Sequence, residues 1–510
     1  MLTITKGDNT MSFSSIEQGV NAKCREVENK TGLLLSWVRT SDELTEVLDN
    51  GLTELYQQVF ADPPYNEAFT PEEVREGFDG ALQANGLIFT AVSPEDGKPV
   101  AFVSSVPLMT ETAVSEVVGA IIVPQTAAYF SEDGVAKSWR RRGLSANMKD
   151  LLLTANFLSG MENVVLRTSI YNYPQIAAVS KSGGVIISNL FQNVESTRGD
   201  GATISDKRAF YLFDRDWAER SQSLRALKRV TIARPGGNDT AIVWDHVQRE
   251  AQGRVSLDIQ QTYPGVEQVM FIEPLANSST LRGQMAGGEF CGNATRSLGY
   301  LMLDTKDGRI EIEVSGATRP LNVEVCNGFS KTQIPILNDL DCITPIGDTG
   351  EHLATLEGIS FLITFQDANH GRQIASLNTL DEKKRRVLEI LNDHKLSQGA
   401  ASGLLILNRK ENGDLHLDPY VYVRDTGTLY YESGCGSGST AVGLMLAKQS
   451  GSSIVNQKIV QPSGMGLYVS IDRNEREFVS ATVNGPVEIL LDGSMHVSEK
   501  VYDPQLNLGS

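Results

Sequence analysis

Two short segments of this 510-residue chain repeat one pattern. Cys291-Gly292-Asn293-Ala294-Thr295-Arg296-Ser297-Leu298-Gly299 and Cys435-Gly436-Ser437-Gly438-Ser439-Thr440-Ala441-Val442-Gly443 each begin Cys-Gly and pass through small and hydroxyl residues. Each places a second glycine eight positions after the cysteine. An apolar helical pattern follows each cluster, which sets the sulfur at a helix N-terminus beside free backbone amides. Two such thiols on opposite sides of one cleft suit inversion of a stereocentre next to a carboxylate. One removes the Cα proton from one face while the other delivers a proton to the opposite face. The amides would hold the carboxylate and stabilise charge as the carbanion forms, so Gly292, Asn293, Gly436, Ser437 and Gly438 are the expected substrate-binding positions. A helix N-terminus lowers a thiol's pKa, so one cysteine is expected to rest as thiolate while its partner stays protonated. No pyridoxal phosphate or other cofactor is then needed. The alternative is a pair of buried structural cysteines, each followed by Gly for tight packing; the repetition favours catalysis.

Composition narrows the setting. Lys and Arg number 45 against 63 Asp and Glu, a net charge of -18, which opposes nucleic acid and anionic membrane surfaces as partners. No window approaches the roughly 20 apolar residues of a spanning helix. The first residues carry no apolar signal core behind a basic start, so a cytoplasmic location is expected. Five cysteines, odd in number and without CxxC spacing, argue against a disulfide framework and against a metal site.

The elements that must position these groups divide the chain into parts of different chemistry, α/β and α+β in class. Residues 1–32 read as a polar, loosely ordered leader, 33–217 as one domain, 218–228 (AERSQSLRALK, from Ala218 to Lys228) as a helix-favouring linker, and 229–505 as the domain with the repeat. The first domain alternates strands and helices: WVRT, a helical run from Asp42 to Phe60, then the strands LIFTAV, PVAFVSSV, VGAIIV and AYFSEDGVA, a mixed sheet with covering helices. Between a strand and a helix running to about Phe157 lies Arg140-Arg141-Arg142-Gly143-Leu144-Ser145-Ala146. Successive amides at such a turn suit a pyrophosphate, the logic of a CoA site, with Arg140, Arg142, Gly143 and Ser145 as cofactor-binding candidates. The alternative is a basic, solvated helix start.

Here the chain resembles the GNAT acyltransferases over about residues 33 to 215. Arg140 and Gly143 fit the family's motif, while Ser145 replaces its last small residue. The family's tyrosine acid would fall near Ser180 and is not carried over. The resemblance implies acetyl-CoA as cofactor.

The second domain resembles the diaminopimelate epimerase fold family of cofactor-independent racemases, and within it most closely the histidine racemases of staphylopine-type metallophore synthesis. The matching segments are PGGNDTAIV (Pro235 to Val243), VEQVMFIEP (Val266 to Pro274), MAGGEFCGNATRS (Met285 to Ser297), YESGCGSGST (Tyr431 to Thr440) and VQPSG (Val460 to Gly464). The resemblance implies a pseudo-symmetric, two-lobed fold, Cys291 and Cys435 as acid and base, Asn238 as a polar contact near the substrate, and Glu267 as an active-site carboxylate. Read from the residues alone, Glu267 stands at a strand start where it could meet an α-ammonium group or be a surface charge, and Asn238 could equally be a turn residue. Ala368-Asn369-His370 matches the epimerase Asn-Pro-His segment without its proline, so His370 is a site candidate or a polar loop residue. Arg424 is no secure counterpart of the arginine that clamps a distal carboxylate.

The expected function is racemisation or epimerisation of a free amino acid, with histidine the leading substrate from the resemblance, fused to an acetyl-CoA-dependent N-acyltransferase. A ligand-binding sensor with a degenerate acetyltransferase domain is the alternative. The order of the two reactions and the oligomeric state, a homodimer included, stay open.

Overall fold

The computed structural model describes residues 13–199, 201–214, 226–274, 281–424 and 427–497. Most of the expected linker therefore lies outside the described residues, although Ala226–Lys228 already belong to a strand. The chain forms two compact units that divide at Ala226/Leu227, with Gln261–Pro264 grouped with the first.

In the first unit, β1 (Leu34–Val38), β2 (Leu87–Val92), β3 (Pro99–Pro107), β4 (Ala127–Val135), β5 (Asn163–Ser169), β6 (Val185–Thr197) and β7 (Thr203–Asp214) make one sheet in the order β1-β2-β3-β4-β5-β7-β6. All neighbours are antiparallel except β4 and β5. Those two are joined by a crossover helix, Leu144–Leu158, as parallel strands require.

Three local expectations fail here. Residues 13–31 are a helix, not a leader: Val20, Cys24 and Val27 recur at helical spacing and are buried, and a Cβ at Gly19 would stand 2.8 Å from Leu158 of the crossover helix. An otherwise polar composition hides that narrow apolar stripe. The run VGAIIV is no strand; a helix, Thr112–Val118, ends there with Val114 and Val118 buried, and a turn follows. The run from Asp42 to Phe60 is broken at Gly51 (φ 116°) into the helices Ser41–Val47 and Thr53–Ala61.

In the second unit the first lobe runs from β8 (Ala226–Pro235) through β9 (Thr240–Val243), β10 (Gln268–Pro274), β11 (Leu281–Met285), β12 (Gly308–Val314) and β13 (Leu321–Cys326) to β14 (Phe329–Gln333). The twenty-residue β23 (Phe478–Val497) pairs with β8 and β14, closing this lobe into a ring. The ring surrounds helix Gly292–Met302, whose residues Gly292 to Gly299 are all buried. On its other edge β23 continues into a second run of strands through β22 (Gly466–Arg473) and β21 (Ile454–Val460), packed around helix Gly436–Ser450. The lobes are thus two similar sheet-and-helix units sharing one strand.

The second glycine of each repeat has a packing reason. A Cβ at Gly299 would fall 2.4 Å from Val323, and one at Gly443 2.6 Å from Val469, so only glycine lets each helix sit this close to its sheet.

Candidate active site

Each repeated cysteine is the N-cap of its lobe's central helix. Cys291 caps Gly292–Met302 and its Sγ accepts from the Ala294 N–H (3.4 Å); Cys435 caps Gly436–Ser450 and its Sγ accepts from the Gly438 N–H (3.2 Å). The two helix starts meet: Asn293 Nδ2 donates to the Gly434 carbonyl (2.8 Å), and a Cβ at Gly436 would lie 3.5 Å from Asn293 Oδ1. Both cysteines line a single cavity of about 120 Å³, together with Gly292, Asn293, Gly436 and Ser437. Gly438 does not reach the cavity wall; its amide is engaged by the Cys435 sulfur, so it positions the thiol.

Glu267 also lines the cavity. Its Oε2 accepts from Asn238 Nδ2 (2.9 Å) and from the Ser433 N–H (3.1 Å). Burial, the largest influence, pushes its carboxyl up to about 8 against the hydrogen bonds from Ser433. Asn238 is fully buried and absent from the cavity wall; rather than touching substrate it orients Glu267, a correction to its expected place. Its neighbour Asp239 is held by Arg234 (2.6 and 2.7 Å), which fixes the PGGND turn.

Several groups escaped sequence reasoning. Glu432 and Glu289 line the cavity with Glu267 and Glu357, and among the described residues no Lys, Arg or His does. Burial raises the Glu432 carboxyl to about 7, opposed by hydrogen bonds from Cys435 and Gln268. Gln268 joins the halves: Cys291 Sγ donates to its Oε1 (2.8 Å) and its Nε2 donates to Glu432 Oε1 (3.3 Å). Gln461, inside the VQPSG segment, accepts from the Cys435 N–H (2.8 Å) and donates to Ser439 Oγ (3.1 Å). The YESG and VQPSG motifs held the signal for Glu432 and Gln461, since each keeps a polar residue within an otherwise tightly packed loop.

The thiols differ from expectation in one respect. Burial pushes Cys291 up to about 12 against the pull of the Ala294 amide, and burial followed by the Glu432 charge holds Cys435 well above the ordinary thiol range. The shift at both sulfurs therefore runs upward, opposite to the expectation, because desolvation of a thiolate outweighs one or two helix-end amides.

His370 sits elsewhere, its Nδ1 3.0 Å from the Glu351 carboxylate and its ring edge-on to His394. Arg424 donates to the Gln398 carbonyl (2.9 Å) and is not on the cavity wall. Neither belongs to the site. Among the described residues no group of three or more His, Cys, Asp or Glu is arranged to hold a metal.

Residues 230–496 match the family model for the histidine racemase CntK N-terminal domain. The chain belongs to this family. A histidine racemase of Fusobacterium nucleatum subsp. nucleatum is 29% identical over 278 residues, covering 52% of this chain and 95% of the relative. Among solved structures, a phenazine biosynthesis protein of the PhzF family from Enterococcus faecalis covers 53% of this chain and all of its own at 13% identity and a TM-score of 0.37. An N-acetyltransferase from Staphylococcus aureus Mu50 covers 35% of this chain and 98% of its own at 16% identity and a TM-score of 0.27. By family the chain is an amino-acid racemase, an isomerase.

The turn of the first unit forms as a helix start with Arg141 (φ 64°) and Gly143 (φ 76°) in the left-handed region. Unlike helices Ser41–Val47 and Pro71–Gln83, whose threonine caps close capping boxes, Leu144–Leu158 has no side-chain cap among the described residues. The side chains are differently disposed. Arg140 pairs with Asp62 (2.7 Å), Arg142 stacks on Trp139 (4.7 Å to the ring centre), and Ser145 Oγ accepts from the buried Lys149 Nζ (2.9 Å). Gly143 takes the left-handed conformation at the helix start, while the two arginines are committed to protein partners.

Proposed function

We propose that the second unit racemises a free amino acid with a cationic or hydrogen-donating side chain, histidine foremost, through Cys291 and Cys435 and without a cofactor. One observation carries this reading: among the described residues, two helix-capping thiols share a cavity lined by four carboxylates and by no basic side chain. The amides of Gly292, Asn293, Gly436 and Ser437 take the α-carboxylate, and Glu267 takes the α-ammonium group. The remaining carboxylates suit an imidazolium or another cation and oppose an acidic side chain, since a second substrate carboxylate would meet like charge in a low dielectric. Proton exchange at Cα then passes between the two sulfurs.

The first unit is read as an N-acyltransferase that uses acetyl-CoA. The amides at Gly143 to Ser145 would hold the pyrophosphate, and the cofactor supplies the acetyl group when bound. A cytoplasmic location is supported by the five free thiols. Among the described residues no helix is long and apolar enough to cross a membrane.

The test is incubation of the full chain with each L-amino acid in deuterated water, followed by mass spectrometry and chiral separation. Deuterium should enter Cα of histidine, and aspartate and glutamate should stay unlabelled. Exchange on acidic substrates only, or on none, would overturn the assignment.

A further inference from the structure

The two repeats differ in one charge. Five positions after Cys291 stands Arg296, and five after Cys435 stands Thr440. Thr440 Oγ1 donates to the Gly436 carbonyl (3.0 Å), whereas Arg296 reaches into the core of the first lobe and is fully buried there. Its Nε donates to the Ser330 carbonyl of β14 (2.7 Å) and its Nη2 to the Pro486 carbonyl of β23 (3.1 Å). Among the described residues Nη1 has no hydrogen-bond partner, and no carboxylate compensates the guanidinium. Two glycines make room for it: a Cβ at Gly485 would stand 2.9 Å from Nη2, and one at Gly236 3.8 Å from Nη1. Gly236 in turn abuts the loop of the second cysteine, since a Cβ at Gly434 would lie 2.6 Å from its carbonyl oxygen. The guanidinium thus belongs to the helix of one cysteine and lies beside the turn that packs against the loop of the other. A buried charge without a counter-charge is strongly disfavoured, and an apolar side chain could fill much of the same space. The charge therefore calls for a reason other than packing.

We propose that Arg296 is a positioning residue of the racemase that acts through Cys291: its buried charge, held behind a cavity wall of carboxylates, makes Cys291 the thiol that ionises and so the base of the resting site, with Cys435 the acid. The proposal rests on the two-thiol reading above. The charged groups that line the cavity with Cys291 are Glu267, Glu289, Glu357 and Glu432, all of the sign that opposes a thiolate. Strands β12, β13 and β14 turn their charged residues outward, where Arg309 and Lys331 pair with Glu324. On β10 Glu273 pairs with Arg249, on β23 Glu488 and Asp492 are exposed, and Lys448 of the other helix donates to the Leu340 and Ile343 carbonyls. Burial pulls the guanidinium down to about 9 while the Cys291 charge draws it back up, so it stays cationic at neutral pH and the attraction is mutual. At the thiol itself burial and the carboxylates still prevail; Arg296 offsets part of what they oppose. Ionisation of Cys291 sends its proton to water. The thiolate then takes the Cα proton on its face of the substrate, and the Cys435 S–H gives its proton to the opposite face. The site is left with a Cys291 thiol and a Cys435 thiolate at the same total charge.

Five residues along a helix rise about 7.5 Å, and at that range a unit charge in a protein moves a neighbouring titration by about 1–2 pH units. Three variants of the full chain decide the matter: Arg296→Met, which is neutral, Arg296→Gln, which is neutral but keeps a donor for Ser330 or Pro486, and Arg296→Lys, which keeps the charge. The readout is the pH profile of kcat/KM for deuterium exchange at Cα of histidine, with melting curves to show that each variant is folded. The acid limb, which follows thiolate formation, should move up by about 1–2 pH units in the Met and Gln variants, so that exchange at pH 7 falls about 10-fold to 100-fold and recovers at high pH. Arg296→Lys should keep the limb near its wild-type place. If Arg296 only ties its helix to β14 and β23, all three variants will melt earlier and turn over more slowly with the limb unmoved, and the proposal is overturned. A limb that moves as far in Arg296→Lys as in Arg296→Met also overturns it, since charge is then not the cause. Should Arg296→Met fail to fold, the Gln and Lys variants carry the comparison. Absence of Cα exchange by the wild type on every amino acid would instead remove the two-thiol reading. Alkylation of Cys291 by iodoacetamide, followed by peptide mass spectrometry, then reads the same limb, and a limb at the same pH in wild type and neutral variant overturns the role of Arg296.

Discussion

Glu267→Gln tests the electrostatics of the site against the stability of the chain. In the folded protein the Glu267 carboxyl is pushed up to about 8 by burial, whereas a free glutamate titrates near 4.3. Between about pH 4.3 and 8 the native state therefore binds more protons at this residue than the unfolded chain does, and its contribution to stability falls as pH rises through that window. At about 1.4 kcal/mol per pH unit the ceiling is ~5 kcal/mol; movement of water and neighbouring dipoles around the ionised group brings the expected loss to roughly 2–3 kcal/mol. Glutamine stays neutral and keeps an acceptor oxygen for Asn238 and Ser433. The two proteins should nearly match in urea unfolding at pH 4, below the window, and the variant should be the more stable by about 2–3 kcal/mol at pH 8.5. Glu132, raised to about 8, and Glu432, raised to about 7, titrate over the same range, but they are common to both proteins and largely cancel in the difference. A difference that stays flat from pH 4 to 8.5 would refute the reasoning, since it would mean that Glu267 is solvated or already ionised at little cost.

Cys291→Ser and Cys435→Ser should each remove racemisation by about 100-fold to 10,000-fold while leaving the fold intact, because serine keeps the N-cap acceptor but is a far weaker acid and base; near-normal turnover in either, by chiral chromatography, would contradict the two-thiol mechanism. Gly143→Asp should abolish acetyl-CoA binding in calorimetric titration, as an anionic side chain at a left-handed turn opposes phosphate, and histidine racemisation on the same samples should survive. Gly434→Ala should destabilise the chain by about 1–3 kcal/mol, as overpacking does, and lower racemisation. Its Cβ would lie 2.6 Å from the Gly236 carbonyl and push the Cys435 loop away from the PGGN turn, and unchanged melting and activity would show that the loop can shift.

What the sequence by itself determined about this protein is local in origin. A cysteine before glycine at the start of an apolar helical pattern becomes a helix cap whatever surrounds it, because backbone amides at a helix start need an acceptor. Doubling that pattern with a second glycine eight positions on carried the two-lobed reading, and Gly299 and Gly443 show why the spacing recurs: each helix lies against a valine of its own sheet. The segments PGGND, YESG and VQPSG were likewise legible as matches to the racemase family. Their partners were not. That Asn238 serves Glu267, that Gln461 holds the amide of Cys435 across 26 positions, and that Gln268 and Glu432 meet across 164 depend on how the strands of two lobes come together, which no periodicity encodes. Helix 13–31 was hidden for a related reason, since the stripe of Val20, Cys24 and Val27 becomes a buried packing face only once another helix covers it. The thiols show the limit most clearly. From sequence a helix N-terminus favours thiolate, but the tertiary structure buries both sulfurs beside carboxylates, and desolvation together with like charge outweighs the few amides of the helix end.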